Sequence, residues 1–166
     1  MRLPTRKSEH DRLMMQQDDP HLTPRRINQL KRELIRLKAE QPNAIADVQH
    51  TASMGDFSEN AAYSQAKHNL RRLNARMLNI EEALKQAIPI VASKNGRVQL
   101  GSIVTLEHDG GKQTFEMVGA QEANPSRGRL SHLSPLGSLL IGHRVGDEVT
   151  LAIGQNKTTY RITGIK

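Results

Sequence analysis

The apolar positions fall into two regimes. Between Ile27 and Ala87 they recur at helical spacing, and beyond residue 100 they alternate with polar ones. Ile27, Leu30, Leu34 and Leu37 follow a 3-4-3 spacing, which puts them on one helix face. The stripe continues through Ala44 or Ile45, Val48 and Ala52, and Pro42 predicts a local kink. Thr23 suits an N-cap and Pro24 the first helical position, with Leu22 and Ile27 placed as the ends of a hydrophobic staple. A second stripe, Tyr63, Ala66, Leu70, Leu73, Met77, Ile80, Leu84 and Ala87, keeps heptad spacing over more than three repeats. The connection near Gly55 is short, and short connections join antiparallel neighbours. The pattern predicts an antiparallel coiled-coil hairpin over 22–89, with arms roughly 40–45 Å long.

Residues 90–166 hold 11 of the 12 glycines and read as mostly strand. Ile103, Thr105 and Glu107 share one face, Val104 and Leu106 the other, and Asp109-Gly110-Gly111 reads as a turn. A hairpin is expected over 102–118, strands near 128–133, 147–153 and 157–164, and a short helix at 135–141 ended by Gly142. The fold class is therefore α+β: a helical hairpin followed by a small antiparallel β domain carrying one short helix. Residues 1–21 are charged, lack periodicity and read as a disordered basic arm.

Composition narrows the function. The 24 basic and 17 acidic residues leave a net charge of +7, which favours a polyanionic partner such as nucleic acid. There is no cysteine, which excludes disulfides, thiol catalysis and cysteine-ligated zinc. No apolar run reaches the roughly 18 residues of a membrane span, no secretory signal is visible, and a cytoplasmic protein is expected. The four aromatics, Phe57, Tyr63, Phe115 and Tyr160, argue against one large aromatic core. His50 and His68 flank the hairpin tip on opposite arms, with too few further donors in register to predict zinc there.

The charges on the hairpin are uneven. No Lys or Arg occurs between Lys38 and Lys67, a window holding Glu40, Asp47, Asp56 and Glu59, so the tip is acidic. Behind it Lys67, Arg71, Arg72 and Arg76 run without a carboxylate until Glu81, a basic shaft suited to phosphate contacts. The tip reads Gly55-Asp56-Phe57-Ser58-Glu59-Asn60. One reading is local: Asp56 as N-cap and Glu59 at the third helical position form a variant capping box. The other is chemical: two hard carboxylates, one turn apart on an exposed arm, offer a partial Mg²⁺ site whose remaining ligands come from another molecule.

The run GDFSENAAY at 55–63 resembles the tip signature GDxSENAxY of bacterial Gre transcript cleavage factors, the GreA/GreB class. SPLGSLLIGHRVGDEV at 134–149 is similar to that family's second signature. The resemblance covers 22–166 and implies an FKBP-like fold for the C-terminal domain. It further implies binding near the secondary channel of bacterial RNA polymerase and stimulated hydrolysis of nascent RNA in backtracked complexes. Asp56 and Glu59 match the family's tip acids, which help hold a weakly bound second Mg²⁺ shared with the polymerase, and Ser58 helps position water. Lys67, Arg71, Arg72 and Arg76 would lie along extruded RNA, and Ser134, Pro135 and Leu136 within the polymerase-docking signature. The chain would then be no enzyme by itself.

The sequence departs from many relatives at Ala62, where an acidic residue is common, and at Phe57. Ala62 keeps open a family member that occupies the channel without promoting cleavage. A polymerase-independent RNA-binding or chaperone-like coiled coil is the other alternative. Prolyl isomerase activity is discounted, since its pocket needs aromatic walls and the domain has only Phe115 and Tyr160. A monomer is expected because the hairpin covers its own apolar seam.

Overall fold

The computed structural model describes residues 19–54, 60–91, 95–154 and 156–166. The described residues form two compact units, a helical one over Arg25–Ala87 and a β unit that joins residues 19–24 with those from Ile88 onward.

In the helical unit, helix α1 spans Pro24–Ser53 and helix α2 spans Ala61–Gln86. α1 continues through Pro42. The arms run antiparallel: Glu33 meets Arg76, Gln41 meets Asn74, and Thr51 meets Asn60. Every residue of the second predicted stripe is buried or half-buried, and Ile80 is 1% exposed. On α1 Leu30 and Leu37 are buried, and Ala44 turns inward while Ile45 is exposed. The heptad place between Leu37 and Ala44 belongs to Gln41, whose amide donates to Asn74 Oδ1 at 2.8 Å. A polar pair at a seam position fixes register at some cost in stability.

Among the described residues the larger sheet of the β unit has five strands in the order β5-β4-β3-β7-β6. They are β3 Ile103–His108, β4 Gly111–Val118, β5 Arg129–Ser131, β6 Glu148–Ile153 and β7 Asn156–Ile165. The β3–β4 hairpin turns on Asp109 and Gly110, both at positive φ, as a tight two-residue loop requires. The expected alternation is realised: Val104 and Leu106 are buried, and Ile103 is exposed. They pack with Val98, Phe115, Met117, Leu130, Leu140, Val149 and Ile162 into one core, lidded by the short helix α3, Pro135–Leu140. Phe115 is consumed by this core.

Two expectations are corrected. The sheet is not wholly antiparallel, because β5 pairs parallel to β4. The connection through 119–128, two short 3-10 turns, carries the chain back so that β5 starts at the same end as its partner. The expected arm is also too long, because residues 19–21 are folded. His21–Leu22 forms β1, which pairs in parallel with β2, Ile88–Pro89, and Leu22 is 1% exposed. Their order comes from partners about a hundred positions away, which local periodicity does not register. Among the described residues no helix is long and apolar enough to cross a membrane.

Candidate functional site

The tip residues singled out above, Asp56, Ser58 and Glu59, lie outside the described residues, as do Gly55 and Phe57. Their flanks are informative. α2 begins at Ala61 and its N-cap is Asn60, whose side-chain oxygen accepts the Tyr63 N–H at 2.9 Å. The Asn60 amide donates to the Thr51 carbonyl of the opposite arm at 2.8 Å. One side chain thus caps the returning helix and pins it to the outgoing one. The local reading of Asp56 and Glu59 as a capping box falls on residues outside the described ones.

The basic shaft is only partly uncompensated. Lys67 Nζ lies 4.9 Å from the centre of the Tyr63 ring, a cation–π contact that holds the ammonium near the tip. Arg71 and Arg72 are exposed on the following turn. Arg76 departs from the expectation. Its Nε and Nη2 donate to the two carboxylate oxygens of Glu33 at 2.7 and 3.0 Å, a bidentate pair across the arms. The same hydrogen bond holds the Glu33 carboxyl below its ordinary value of 4.5 and raises the Arg76 guanidinium further above its own.

The sign follows from that depression. The pair's stabilisation is fully present above the ordinary glutamate value and is lost as pH falls through the lower, folded one. Both side chains keep water contact, so the pair is worth about 0.5 kcal/mol. Glu33→Gln is expected to lower the helical melting midpoint slightly at pH 7, and the difference from wild type is expected to vanish as the pH falls through the lowered Glu33 value. Circular dichroism melts across that range check it.

In the second signature Ser134 caps α3. Its hydroxyl accepts the Gly137 N–H at 3.0 Å and donates to the Ser131 carbonyl at 2.7 Å. A Cβ on Gly137 would overlap that same carbonyl, so only glycine passes there. Leu136 packs on the core, while Pro135 is exposed. Ser134 and Leu136 therefore build the turn, and Pro135 is the member of the trio that faces outward.

Two polar clusters in the β unit escaped sequence reasoning. Glu122, 6% exposed, accepts the Thr23 N–H at 2.6 Å and the Thr23 hydroxyl at 2.7 Å. Thr23, read as a helix cap, thus holds to the turn after β4. Glu122→Ala removes the acceptor of both donors and is expected to cost about 2–3 kcal/mol, measurable by urea unfolding, with Glu122→Gln costing less. The second cluster centres on Asp19, whose carboxylate accepts the Ala120 N–H at 2.6 Å and the His21 N–H at 3.1 Å. His21 Nδ1 lies 2.8 Å from one of its oxygens and His132 Nδ1 3.7 Å from the other. Burial alone would raise the Asp19 carboxyl, yet hydrogen bonds from Ala120 and His21 and the charge of His132 hold it below its usual value. No local motif signals either cluster, since each joins residues 99 or more positions apart.

Comparison with known proteins agrees with this arrangement. Residues 21–88 match the family described as transcription elongation factor, N-terminal, and residues 93–166 match transcription elongation factor, GreA/GreB, C-term. Transcription elongation factor GreA of Desulfovibrio desulfuricans is 38% identical over 140 residues, covering 82% of this chain and 86% of that protein. Its counterpart from Thermomicrobium roseum is 38% identical over 133 residues, covering 78% and 85%. Among solved structures, GreA factor homolog 1 of Thermus thermophilus shares 29% identity with a TM-score of 0.40, over 89% of this chain and 99% of that one. The two halves match in order along nearly the whole chain, and the protein belongs to the GreA/GreB family of transcription elongation factors.

Proposed function

We propose that this protein binds bacterial RNA polymerase at its secondary channel and stimulates Mg²⁺-dependent internal cleavage of nascent RNA in backtracked complexes. The observation that carries the reading is the GDFSENAAY motif at 55–63, whose two acids come just before Asn60, the cap of α2.

The donor set fits the ion. Carboxylate oxygens are hard ligands suited to Mg²⁺, and two of them leave most of an octahedral shell to the polymerase, the RNA and water. When bound, the ion supplies Lewis acidity to a phosphodiester hydrolysis of the two-metal kind. Asp56 and Glu59 contribute ligands, and Ser58 orients the attacking water. Lys67, Arg71 and Arg72 neutralise phosphates of the extruded RNA, and Arg76 holds the two arms in register through Glu33. The turn around Ser134, Pro135 and Leu136 docks on the channel rim. The protein acts as a cofactor to the polymerase's own nuclease activity, not as an enzyme alone.

The test is a backtracked elongation complex assembled with the cognate polymerase and challenged with this protein and Mg²⁺. Shortening of the 3′-extruded RNA, dependent on both, is expected. Polymerase binding without shortening would replace this reading with a channel-occupying regulator and make Ala62 the next residue to change. RNA binding without polymerase affinity would instead support an independent RNA-binding coiled coil.

A further inference from the structure

Asp19, His21 and His132 have no part in the tip chemistry, yet they bring together one carboxylate and two imidazoles. The three donor atoms lie within 4.8 Å of one another, the only such group of histidine and carboxylate side chains among the described residues. We infer that this cluster is a binding site for one divalent transition-metal ion of the zinc class.

Donor geometry comes first. Zinc takes imidazole nitrogen at about 2.0–2.1 Å and carboxylate oxygen at about 2.0–2.2 Å, which places neighbouring donors roughly 3.3 Å apart. His21 Nδ1 and His132 Nδ1 stand 2.8 and 3.7 Å from the two Asp19 oxygens, on either side of that spacing. The two rings meet edge to face with centres 5.6 Å apart, so both reach the same carboxylate without competing for one place. Small ring rotations seat an ion. Each imidazole binds through an Nδ1 lone pair, so the His21 contact to Asp19 and the His132 contact to the Val118 carbonyl at 3.4 Å give way as the ion enters.

The surroundings are those of a metal site. Backbone N–H groups of Ala120 and His21 hold the Asp19 carboxylate in place, the second layer of bonding that orients a metal ligand. The Asp19 side chain is 3% exposed, while those of His132 and His21 are 18% and 34% exposed. The histidines form the mouth of the site, and water completes the shell from outside. The donors also choose the metal: two imidazoles and one carboxylate suit zinc, cobalt or nickel, whereas Mg²⁺ and Ca²⁺ take oxygen ligands. Three protein ligands mark an open site, so the ion is exchangeable. It ties β1 to the residue after β5, across segments that nothing else joins covalently.

The experiment uses the untagged full-length chain, stripped with a chelator and kept in millimolar Mg²⁺ so that hard-cation sites are silent. Zinc is titrated by calorimetry and cobalt by visible absorption. One equivalent at micromolar or tighter affinity is expected, together with a cobalt ligand-field band and a thermal midpoint raised by several degrees. His132→Ala and His21→Gln should each weaken binding at least tenfold and abolish the band. A control chain with His50→Gln and His68→Gln should bind as wild type. Asp19→Asn is informative only if its circular dichroism is native, and the histidine variants decide the matter without it. No saturable uptake, or uptake unchanged in both His132→Ala and His21→Gln, would overturn the site.

Discussion

Gly119→Ala is expected to destabilise the β unit by about 3 kcal/mol or more and to lower its thermal midpoint by roughly 10–20 °C. The reason is space, not backbone freedom. Gly119 sits at φ −66°, ψ 162°, which any residue adopts. A Cβ there would overlap the His21 carbonyl oxygen and press on the Asp19 carboxylate. The obstacle is backbone on one side and a buried, hydrogen-bonded carboxylate on the other, so neither yields as a flexible side chain would. Gly110→Ala is the control. Its φ of 75° penalises a side chain, but nothing stands within 4 Å of the added methyl, and a loss of about 1 kcal/mol is expected. Paired urea and thermal melts distinguish the two. Equal losses would mean that residues 19–21 do not pack against the turn after β4.

The largest functional effect is expected at the tip. Asp56→Asn and Glu59→Gln should each slow RNA shortening in a backtracked complex by about 100-fold or more, because on the proposed reading each removes a charged metal ligand where charge develops. Polymerase affinity should stay within a few-fold of wild type, since both changes are nearly isosteric. The double variant should be little slower than either single one, as expected of groups that act as a unit. Raising Mg²⁺ should partly restore the single variants if the loss is one of metal affinity. A proportional fall in polymerase binding would move the two acids from the chemistry to docking.

Much of the architecture was legible because it is periodic. The α2 stripe was read correctly at every position, and β3 to β7 lie close to their predicted places. Both signals arise from one face meeting one core, which repeats along the chain. What was missed has no period. Gln41 occupies a seam position that a count of apolar residues skips, and it is placed by Asn74. Arg76 looked uncompensated because its carboxylate, Glu33, sits on the other arm. Ala44 rather than Ile45 faces inward because the 3-4 spacing from Gln41 outweighs hydrophobicity. The parallel joining of β5 and the folded state of residues 19–21 depend on pairings between distant segments. The tip acids stand out in the sequence through their motif, while the histidine pair beside Asp19 does not, because His21 and His132 are neighbours only after folding.

The pairing of β1 with β2 also sets an order of events during synthesis. The helical arms make contacts between nearby residues, and such elements form in microseconds once both have emerged. Strand β1 leads into those arms, yet Asp19 and Thr23 need Ala120 and Glu122, about a hundred residues later. At translation rates of about 5 to 20 residues per second, that wait lasts roughly 5 to 20 seconds. Throughout it a finished helical hairpin hangs from a strand without its lasting place. The excursion from Leu22 to Ile88 is already shortened by that hairpin, whose two ends bring β1 and β2 side by side. Closing the β unit around them is then the late step, and it joins Asp19 and Thr23 to the turn after β4.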